Sequence, residues 1–232
     1  DLMMKIEDSF GKEKEITVNI SHELMTPISV IRSKLENILI QEETGELTAV
    51  KIEESLKTLQ RLQGLVNSLL MIARIESRQY LLDEKIAVRD LLSEIAGELR
   101  PVAVDKGIEL KEEYTGDGYS GPAKRSLLFS MFYNVINNAV KNTNRGGRIT
   151  LHMETLADGI SVMVSDTGRG MTDEQLDKLF ARFSSRRDND ENGTGIGLAI
   201  AKSIADLHGI KITVASTPGK GTDFSFIFPE NS

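Results

Sequence analysis

Residues 16–39 read ITVNISHELMTPISVIRSKLENIL, and their apolar side chains recur every three or four positions. This spacing predicts one amphipathic helix, because each residue advances by roughly 100° around a helix axis. The apolar face keeps its phase across Pro27, so we expect a single helix that bends there. Its members are Ile16, Ile20, Leu24, Ile28, Ile31, Leu35, Ile38 and Leu39.

A second apolar face follows the polar stretch QEETGEL at residues 41–47. Two long helices joined by a short turn predict an antiparallel hairpin. Two helices cover only one side of each other, so these faces favour pairing of two hairpins into a four-helix bundle, which is a homodimer. Packing of the hairpin on the rest of its own chain is the alternative. The second face comprises Ile52, Leu56, Leu59, Leu62, Val66, Leu69 and Ala73.

The overall composition excludes several classes of protein. The 232 residues carry Lys+Arg 28 against Asp+Glu 35, for a formal net charge of −7. A general nucleic-acid surface needs excess positive charge, so we expect no nucleic-acid partner, although single lysines and helix ends can still bind phosphate. Cysteine is absent, so disulfides do not hold the fold. No apolar run reaches about 18 residues, so we expect any membrane attachment through segments upstream of this chain.

Beyond about residue 80 the pattern changes to alternating helix-like and strand-like segments, and glycine becomes frequent. Residues 87–108 predict a helix interrupted near Pro101, while AKRSLLFSMFYNVINNAVKNT and GIGLAIAKSIADLH predict further helices. GIELKEEY, RITLHMET, GISVMVSD, GIKITVAS and TDFSFIFP alternate as strands do. Helices grouped against one mixed sheet predict an α/β sandwich. The expected fold class is therefore α+β, with domains at residues 1–80 and 81–232.

His22 lies off the apolar face of the first helix, with Glu23 beside it and Thr26 one turn further on. An exposed imidazole can act as a nucleophile, and a neighbouring carboxylate can orient it or take its proton. Pro27 removes the N–H that would bond the carbonyl of Glu23, so the helix loosens beside the imidazole. Alternatively, Thr26 caps a new helix with Pro27 in its first turn, and His22 is an ordinary surface histidine.

The helix that contains NVINNAVKNT carries an unusual set of asparagines. Asn134 and Asn138 lie one turn apart on one face, and Lys141 lies close to one turn further. Amide oxygens can ligate a hard cation such as Mg²⁺, and a lysine on the same face can reach phosphate oxygens. A solvated polar face is the alternative, although asparagine is a mediocre helix former.

The strand-like segment GISVMVSD ends at Asp166, and Gly168 and Gly170 follow. A carboxylate at this position can accept a hydrogen bond from an exocyclic amine such as that of adenine. The glycines permit tight turns and close approach of a ligand. A plain turn is one alternative. An aspartic-protease site is another, but that chemistry needs two aspartates sharing a proton, and DTG occurs once in the sequence.

The glycine-rich stretch GTGIGLAIAKSI leads into a helix whose free N–H groups can meet phosphate. It is not a dinucleotide-binding fingerprint, because Leu198 replaces the third glycine and a polar loop precedes it in place of a strand. The preceding LFARFSSRRDNDEN places Phe180 and Phe183 before a charged run. This pattern predicts a hinged lid over a ligand, in which Arg186 either helps hold a terminal phosphate or is simply solvated.

Taken in order, SHELMTP, NVINNAVKNT, DTGRGM, LFARF and GTGIGL resemble the H, N, G1, F and G2 boxes of the sensor histidine kinases of bacterial two-component systems. The resemblance covers nearly the whole chain, and five boxes in the family's order are far more specific than any one of them. It implies a helical dimerisation and phosphotransfer domain followed by an ATP-binding domain of the Bergerat (GHKL) type, the fold shared with gyrase and Hsp90.

The resemblance also implies roles for individual residues. His22 corresponds to the phosphoacceptor, Glu23 to the acidic residue that assists its phosphorylation, and Thr26 to a residue that positions water in a phosphatase reaction. Asn134 and Asn138 correspond to the asparagines around Mg²⁺, and Asp166 to the aspartate that reads adenine. The implied ATP-binding set is Asn134, Asn138, Lys141, Asp166, Gly168, Gly170, Phe183, Arg186, Gly193, Thr194, Gly195, Gly197 and Leu198.

The same resemblance implies partners and a location. We expect a homodimer that passes its phosphoryl group to an aspartate on a response-regulator receiver domain. We expect the chain to be the cytoplasmic portion of a protein anchored in a bacterial inner membrane. The residues alone also allow two other functions. One is an ATPase of the same nucleotide-binding superfamily, and the other is a non-catalytic dimeric relay that binds a partner through its bundle.

Overall fold

In a computed structural model of the chain, the described residues are 28–38, 46–157, 159–181 and 196–229. They fall into two compact units, of which the first ends at Gln79 and the second begins at Tyr80. Each unit has its own architecture, and each is treated separately below.

The first unit is helical. Helix α1 covers residues 28–38 and helix α2 covers Glu46–Glu76. Ile28 at the start of α1 packs with Val66 and Leu70 in the second half of α2, as the predicted antiparallel hairpin requires. Neither α2 nor any other described helix has the apolar length that a bilayer crossing requires. Other members of the two apolar faces stay exposed in the single chain, among them Ile31 at 49% and Leu62 at 44%.

The second unit is built on a five-stranded mixed sheet in the order β1-β2-β3-β5-β4. β1 and β2 are parallel, and the other neighbouring strands are antiparallel. The elements are α3 (Val88–Asp105), β1 (Glu109–Thr115), α4 (Arg125–Asn142), β2 (Arg148–Leu156), β3 (Gly159–Asp166), α5 (Asp173–Asp177), α6 (Gly197–Leu207), β4 (Lys211–Thr217) and β5 (Gly221–Ile227). This architecture confirms the predicted α/β sandwich.

Strand alternation places the hydrophobic core on one face of the sheet, beneath α3, α4 and α6. Every second residue of β2, β3 and β5 is buried, while the residues between them are exposed or half-buried. Phe132 of α4 is fully buried against aromatic rings from the last strand and its extension. Its ring centroid lies 5.1 Å from that of Phe226 and 6.2 Å from that of Phe228. α4 is thereby fixed to the central strands.

Helix α3 continues through Pro101, so the interruption predicted there does not occur. A helical proline lacks an N–H, and its ring crowds the carbonyl four residues earlier, which belongs to Gly97. Both residues are exposed, so water can satisfy that carbonyl. The buried face of α3 lies on the other side, where Leu91, Leu92 and Leu99 hold the helix to the sheet. Packing of that face outweighs the cost of the proline.

We expect Phe132→Ala to lower the free energy of unfolding by about 3–5 kcal/mol, because it removes a buried ring and leaves a cavity. Phe129 on the same helix is half-buried and stacks on Tyr133 at 5.9 Å, so Phe129→Ala should cost less than half as much. Urea unfolding followed by circular dichroism measures both. Equal losses in the two variants would contradict this account of the core.

Candidate functional site

The predicted site residues divide between described and undescribed parts of the chain. His22, Glu23, Thr26, Phe183, Arg186, Gly193, Thr194 and Gly195 lie outside the described residues. The others belong to the second unit and come from α4, the loop after β3 and the start of α6: Asn134, Asn138, Lys141, Asp166, Gly168, Gly170, Gly197 and Leu198.

Asp166 ends β3 in phase with the buried residues Val162 and Val164, so its carboxylate turns toward the helices. It is 6% exposed. The Gly168 N–H donates to its Oδ1 at 2.8 Å. Burial raises the pKa of Asp166 above its ordinary value, and the main-chain N–H groups of Gly168 and Thr222 partly offset that rise. An acceptor of this kind, inside a mostly apolar layer, suits an amine donor on a ligand.

The loop after β3 lies directly on the C-terminal end of α4. The Arg169 N–H donates to the carbonyl of Asn142 at 3.2 Å. A Cβ on Gly168 would lie 2.5 Å from that carbonyl oxygen and 2.7 Å from Oδ1 of Asp166. Real Cβ atoms do not approach so closely, so only glycine lets the loop pass between the helix end and the carboxylate.

The asparagines of α4 form a connected face. The Asn134 side-chain NH₂ donates to the Ser130 carbonyl at 2.8 Å, which leaves its Oδ1 as an acceptor. The Asn142 NH₂ donates to the carbonyl of Asn138 at 2.8 Å and to its Oδ1 at 3.0 Å. Oδ1 of Asn138 thus already accepts one hydrogen bond and keeps a second lone pair, while Oδ1 of Asn134 is left as an acceptor. Amide oxygens suit Mg²⁺ when phosphate and water complete the shell. Lys141 is exposed at the end of this face.

Helix α6 begins against the same face. A Cβ on Gly197 would lie 2.6 Å from Oδ1 of Asn134, so the first residue of α6 must be small to reach α4. Its N-cap residue, Ile196, has an apolar side chain that cannot cap the helix, and the main-chain N–H groups of a helix start can meet an anion. Leu198 is half-buried in the same turn. The site thus joins amide oxygens from α4 to a helix N-terminus from α6.

Gly170 fixes the loop after β3 to the hairpin between β4 and β5. Its φ is +64°, and a Cβ there would lie 2.0 Å from the Thr217 carbonyl oxygen. The Gly219 N–H donates to the Arg169 carbonyl at 2.7 Å, and the Met171 N–H donates to Ser216 Oγ at 2.9 Å. These close contacts give both glycines a structural reason to lack a side chain. Their predicted role in admitting a ligand stays a prediction.

Thr222 is a candidate site residue that the sequence reasoning missed. It pairs with Asp166 across β3 and β5, is 6% exposed, and its Oγ1 lies 2.9 Å from Ser216 Oγ. This hydroxyl is therefore a second buried polar group beside the carboxylate. The signal was present in TDFSFIFP, where the threonine falls in phase with Phe224 and Phe226 and so points into the core.

A cavity of about 300 Å³ lies at the turn between β4 and β5. Its lining includes Asp166, Ser216 and Thr222, which lie in phase with the core residues, and Ser165, Ala215 and Asp223, which alternate with them. The cavity therefore adjoins the buried carboxylate of Asp166.

Two protein-family models match the chain. Residues 12–78 match the His Kinase A (phospho-acceptor) domain. Residues 123–232 match the histidine kinase-, DNA gyrase B- and HSP90-like ATPase. The second match includes α4, the loop after β3 and α6, which carry the asparagines, Asp166 and Gly197.

Similar proteins include the sensor protein IrlS of Burkholderia pseudomallei, with 29% identity over 100% of this chain and 50% of the relative. The phosphate regulon sensor protein PhoR of Pseudomonas aeruginosa is 31% identical over 93% of this chain and 49% of the relative. The chain spans about half the length of the curated relatives it matches.

Solved structures agree with these matches. Full-length ShkA in complex with AMPPNP aligns with a TM-score of 0.78 at 25% identity, over 94% of this chain and 46% of that one. The Acinetobacter baumannii histidine kinase AdeS shares the fold, with a TM-score of 0.65 over 91% of this chain and 98% of that one at 20% identity.

Gly170→Ala should destabilise the second unit through both backbone strain and steric overlap with the Thr217 carbonyl. Gly146→Ala is the matched control, because Gly146 also has a positive φ, +83°, but has open space around its Cβ position. The strain alone costs about 1–2 kcal/mol. Gly170→Ala should exceed the control by more than about 1 kcal/mol in urea unfolding. Equal costs would show that the contact with the hairpin is not tight.

Proposed function

The chain belongs to the sensor histidine kinases, and from its pairing of a phosphoacceptor hairpin with a Bergerat-type ATP-binding domain we propose that it transfers the γ-phosphoryl group of ATP to His22. The observation that carries the proposal is the convergence of Asp166, the α4 asparagines and the start of α6 at one end of the sheet. Residues 1–80 would form the dimerisation and phosphotransfer domain, and residues 81–232 the ATP-binding domain.

In this proposal Asp166 recognises the adenine base. Its buried carboxylate accepts from the exocyclic amine, while Gly168 and Thr222 hold it from the protein side. The Thr222 hydroxyl offers the base a second polar partner. Guanine carries a carbonyl where adenine carries this amine, so a carboxylate acceptor favours adenine.

The phosphates lie between α4 and the start of α6. Amide oxygens of Asn134 and Asn138 would hold Mg²⁺, which supplies neutralisation of phosphate charge when bound. Lys141 at the C-terminal end of the same helix would reach a phosphate oxygen, and main-chain N–H groups at the start of α6 would meet another. Phe183, Arg186, Gly193, Thr194 and Gly195 would complete the site as a lid.

Phosphoryl transfer itself requires mainly alignment and charge stabilisation. An imidazole nitrogen of His22 forms a bond to the γ-phosphorus, the bond from that phosphorus to the bridging oxygen breaks, and ADP leaves. Glu23 takes the proton that the imidazole loses. The phosphohistidine then donates the group to an aspartate of a response-regulator receiver domain. Thr26 would position water for the opposing phosphatase reaction.

The exposed apolar side chains of the hairpin, such as Ile31 and Leu62, support a homodimer in which two hairpins form a four-helix bundle. The relatives are named as sensor proteins and are about twice as long as this chain. We therefore expect the chain to act in the cytoplasm as the signalling part of a longer, membrane-anchored protein.

His22→Gln should abolish ³²P incorporation from γ-labelled ATP and leave nucleotide binding intact, because it removes the nucleophile from a domain that does not hold the nucleotide. The wild-type label should be acid-labile and base-stable, as a phosphohistidine is. His152→Gln, in β2, is the matched control and should retain full labelling. Labelling that persists in His22→Gln would refute the phosphoacceptor assignment. An ATPase or a relay would show no such label in any variant.

Asp166→Asn should weaken ADP binding by about 100-fold, because an amide NH₂ would then oppose the adenine amine in a buried site. Without nucleotide the variant should unfold at the same or a higher temperature at pH 7.5. A carboxyl whose pKa is raised on folding contributes stability only at low pH and loses it as pH rises through the folded pKa.

Asp223→Asn is the control for this charge change. It lies on the opposite face of the same sheet and should leave the affinity unchanged. Isothermal titration calorimetry with Mg²⁺ and ADP measures both variants. If Asp166→Asn retains wild-type affinity, Asp166 does not read the base.

A further inference from the structure

His208 follows the last residue of α6 and bridges two helices. Its ring Nδ1 lies 2.8 Å from the carbonyl oxygen of Ile204 in α6. Its Nε2 accepts from the main-chain N–H of Lys124 at 3.1 Å. Lys124 is the N-cap residue of α4. Only a neutral imidazole protonated on Nδ1 satisfies both contacts, because one ring nitrogen faces an acceptor and the other faces a donor.

The imidazole therefore serves as a cap for α4. Lys124, the N-cap residue, supplies no side-chain cap to this helix. Instead, the Lys124 N–H is bound by His208, and the Arg125 N–H donates to Glu84 Oε2 at 2.9 Å. A protonated ring would place positive charge at the positive end of the α4 dipole and leave the Lys124 N–H without its acceptor.

A second contact joins α4 and α6 at the other end of α6, where Gly197 meets Asn134. Ten residues of α4 separate Lys124 from Asn134, which is about 15 Å along the helix axis. Eleven residues of α6 separate Gly197 from His208, or about 16 Å. The two helices thus run antiparallel with matching lengths between their two contacts. A shift at the His208 end moves the Gly197 end against Asn134.

We propose that His208 is a positioning residue for nucleotide binding: by bridging Ile204 and Lys124 in its neutral form, it fixes the register of α6 on α4 and so places the phosphate-facing start of α6 against Asn134. The inference rests on the proposed function, since it concerns the same nucleotide site. His208 itself lies at the far end of α6 and touches no part of that site. Protonation of the ring releases the bridge and lowers nucleotide affinity.

The surroundings of His208 favour the neutral form. Burial lowers the pKa of His208 below its ordinary value, and the bond to the Ile204 carbonyl opposes this only in part. Hydrogen bonds from Lys124 and Arg125 lower the pKa of Glu84 below its ordinary value. The charged groups on the adjoining segments are Asp83, Glu84, Lys124, Arg125, Lys202, Asp206 and Lys211; Asp83 and Glu84 pair with Lys124, and Lys202 pairs with Asp206.

Two substitutions at His208 distinguish the effect of losing the hydrogen-bond bridge from the effect of protonating the ring. His208→Gln supplies an amide oxygen that can accept from the Lys124 N–H at every pH, whereas His208→Phe keeps a ring without an acceptor. His152→Gln replaces the other described histidine and serves as the control. Mg²⁺-ADP affinity is measured by calorimetry from pH 7.5 to pH 5.0, with the apparent melting temperature of each nucleotide-free variant recorded at every pH.

At pH 7.5 we expect His208→Phe to bind ADP about fivefold more weakly than wild type, and His208→Gln to bind within about twofold of it. On acidification the wild type and His152→Gln should lose about fivefold more affinity than His208→Gln. Protonation of ADP itself affects all variants equally and cancels in this comparison.

Three results would overturn the inference. One is a pH profile of His208→Gln that overlays the wild type. Another is a His208→Phe variant that melts earlier but binds ADP with wild-type affinity, since the histidine would then be structural alone. In both cases wild-type binding at pH 7.5 leaves the proposed function standing. Failure of wild type to bind ADP at pH 7.5 would remove the nucleotide site and this inference together.

Discussion

A buried carboxylate organises the end of the second unit that carries the candidate site. Asp166 lies beneath the helical layer, where an ionised group loses most of its hydration. Main-chain N–H groups of Gly168 and Thr222 offset part of that cost. These donors exist only because the chain turns back immediately after β3 and because β5 pairs with β3 at this register. The loop after β3 and strand β5 must therefore both be in place for the Asp166 carboxylate to keep these hydrogen bonds.

That turn requires the main chain to approach other main chain unusually closely. Gly168 passes the carbonyl of Asn142 at the end of α4, and Gly170 passes the carbonyl of Thr217 at the end of β4. A methyl group at either position would push the loop away from a helix or from a hairpin. The glycines of this motif thus join three elements around the carboxylate. Conformational freedom matters at Gly170, whose φ is positive, whereas at Gly168 the decisive factor is space.

Much of this arrangement could be predicted from the sequence, because it follows from local patterns of apolar and polar residues. Periodicity identified the helices and strands and indicated that the helices group against one mixed sheet. The sheet order could not be predicted, since the insertion of β5 between β3 and β4 depends on packing between distant segments. The same limit applies to Pro101: the local rule predicts a break, and burial of the opposite face of α3 overrides it.

The site residues likewise divide into those that the sequence alone could identify and those that it could not. Asn134, Asn138 and Asp166 stood out because polar groups in a helix or at a strand end contradict the surrounding pattern. Thr222 and His208 did not, because each occupies a position that looks ordinary in sequence and acquires its role only through a partner far along the chain. Thr222 lies beside Asp166 by strand pairing, and His208 reaches Lys124 by helix packing.

Two features at this end of the sheet are unfavourable for local stability. Asparagines replace better helix formers on α4, and a carboxylate is buried where an apolar residue would pack without charge. Neither choice is the one that local stability favours, and both fit the nucleotide site that we propose. Other contacts in the same unit offset the stability lost there. Aromatic packing of Phe132 on Phe226 and Phe228, together with the bridge from His208, holds α4 in place without using any group in the site. The packing contacts and the asparagines thus lie on different faces of α4, and under the proposed function the bridge from His208 links the two, because it sets where α6 meets Asn134.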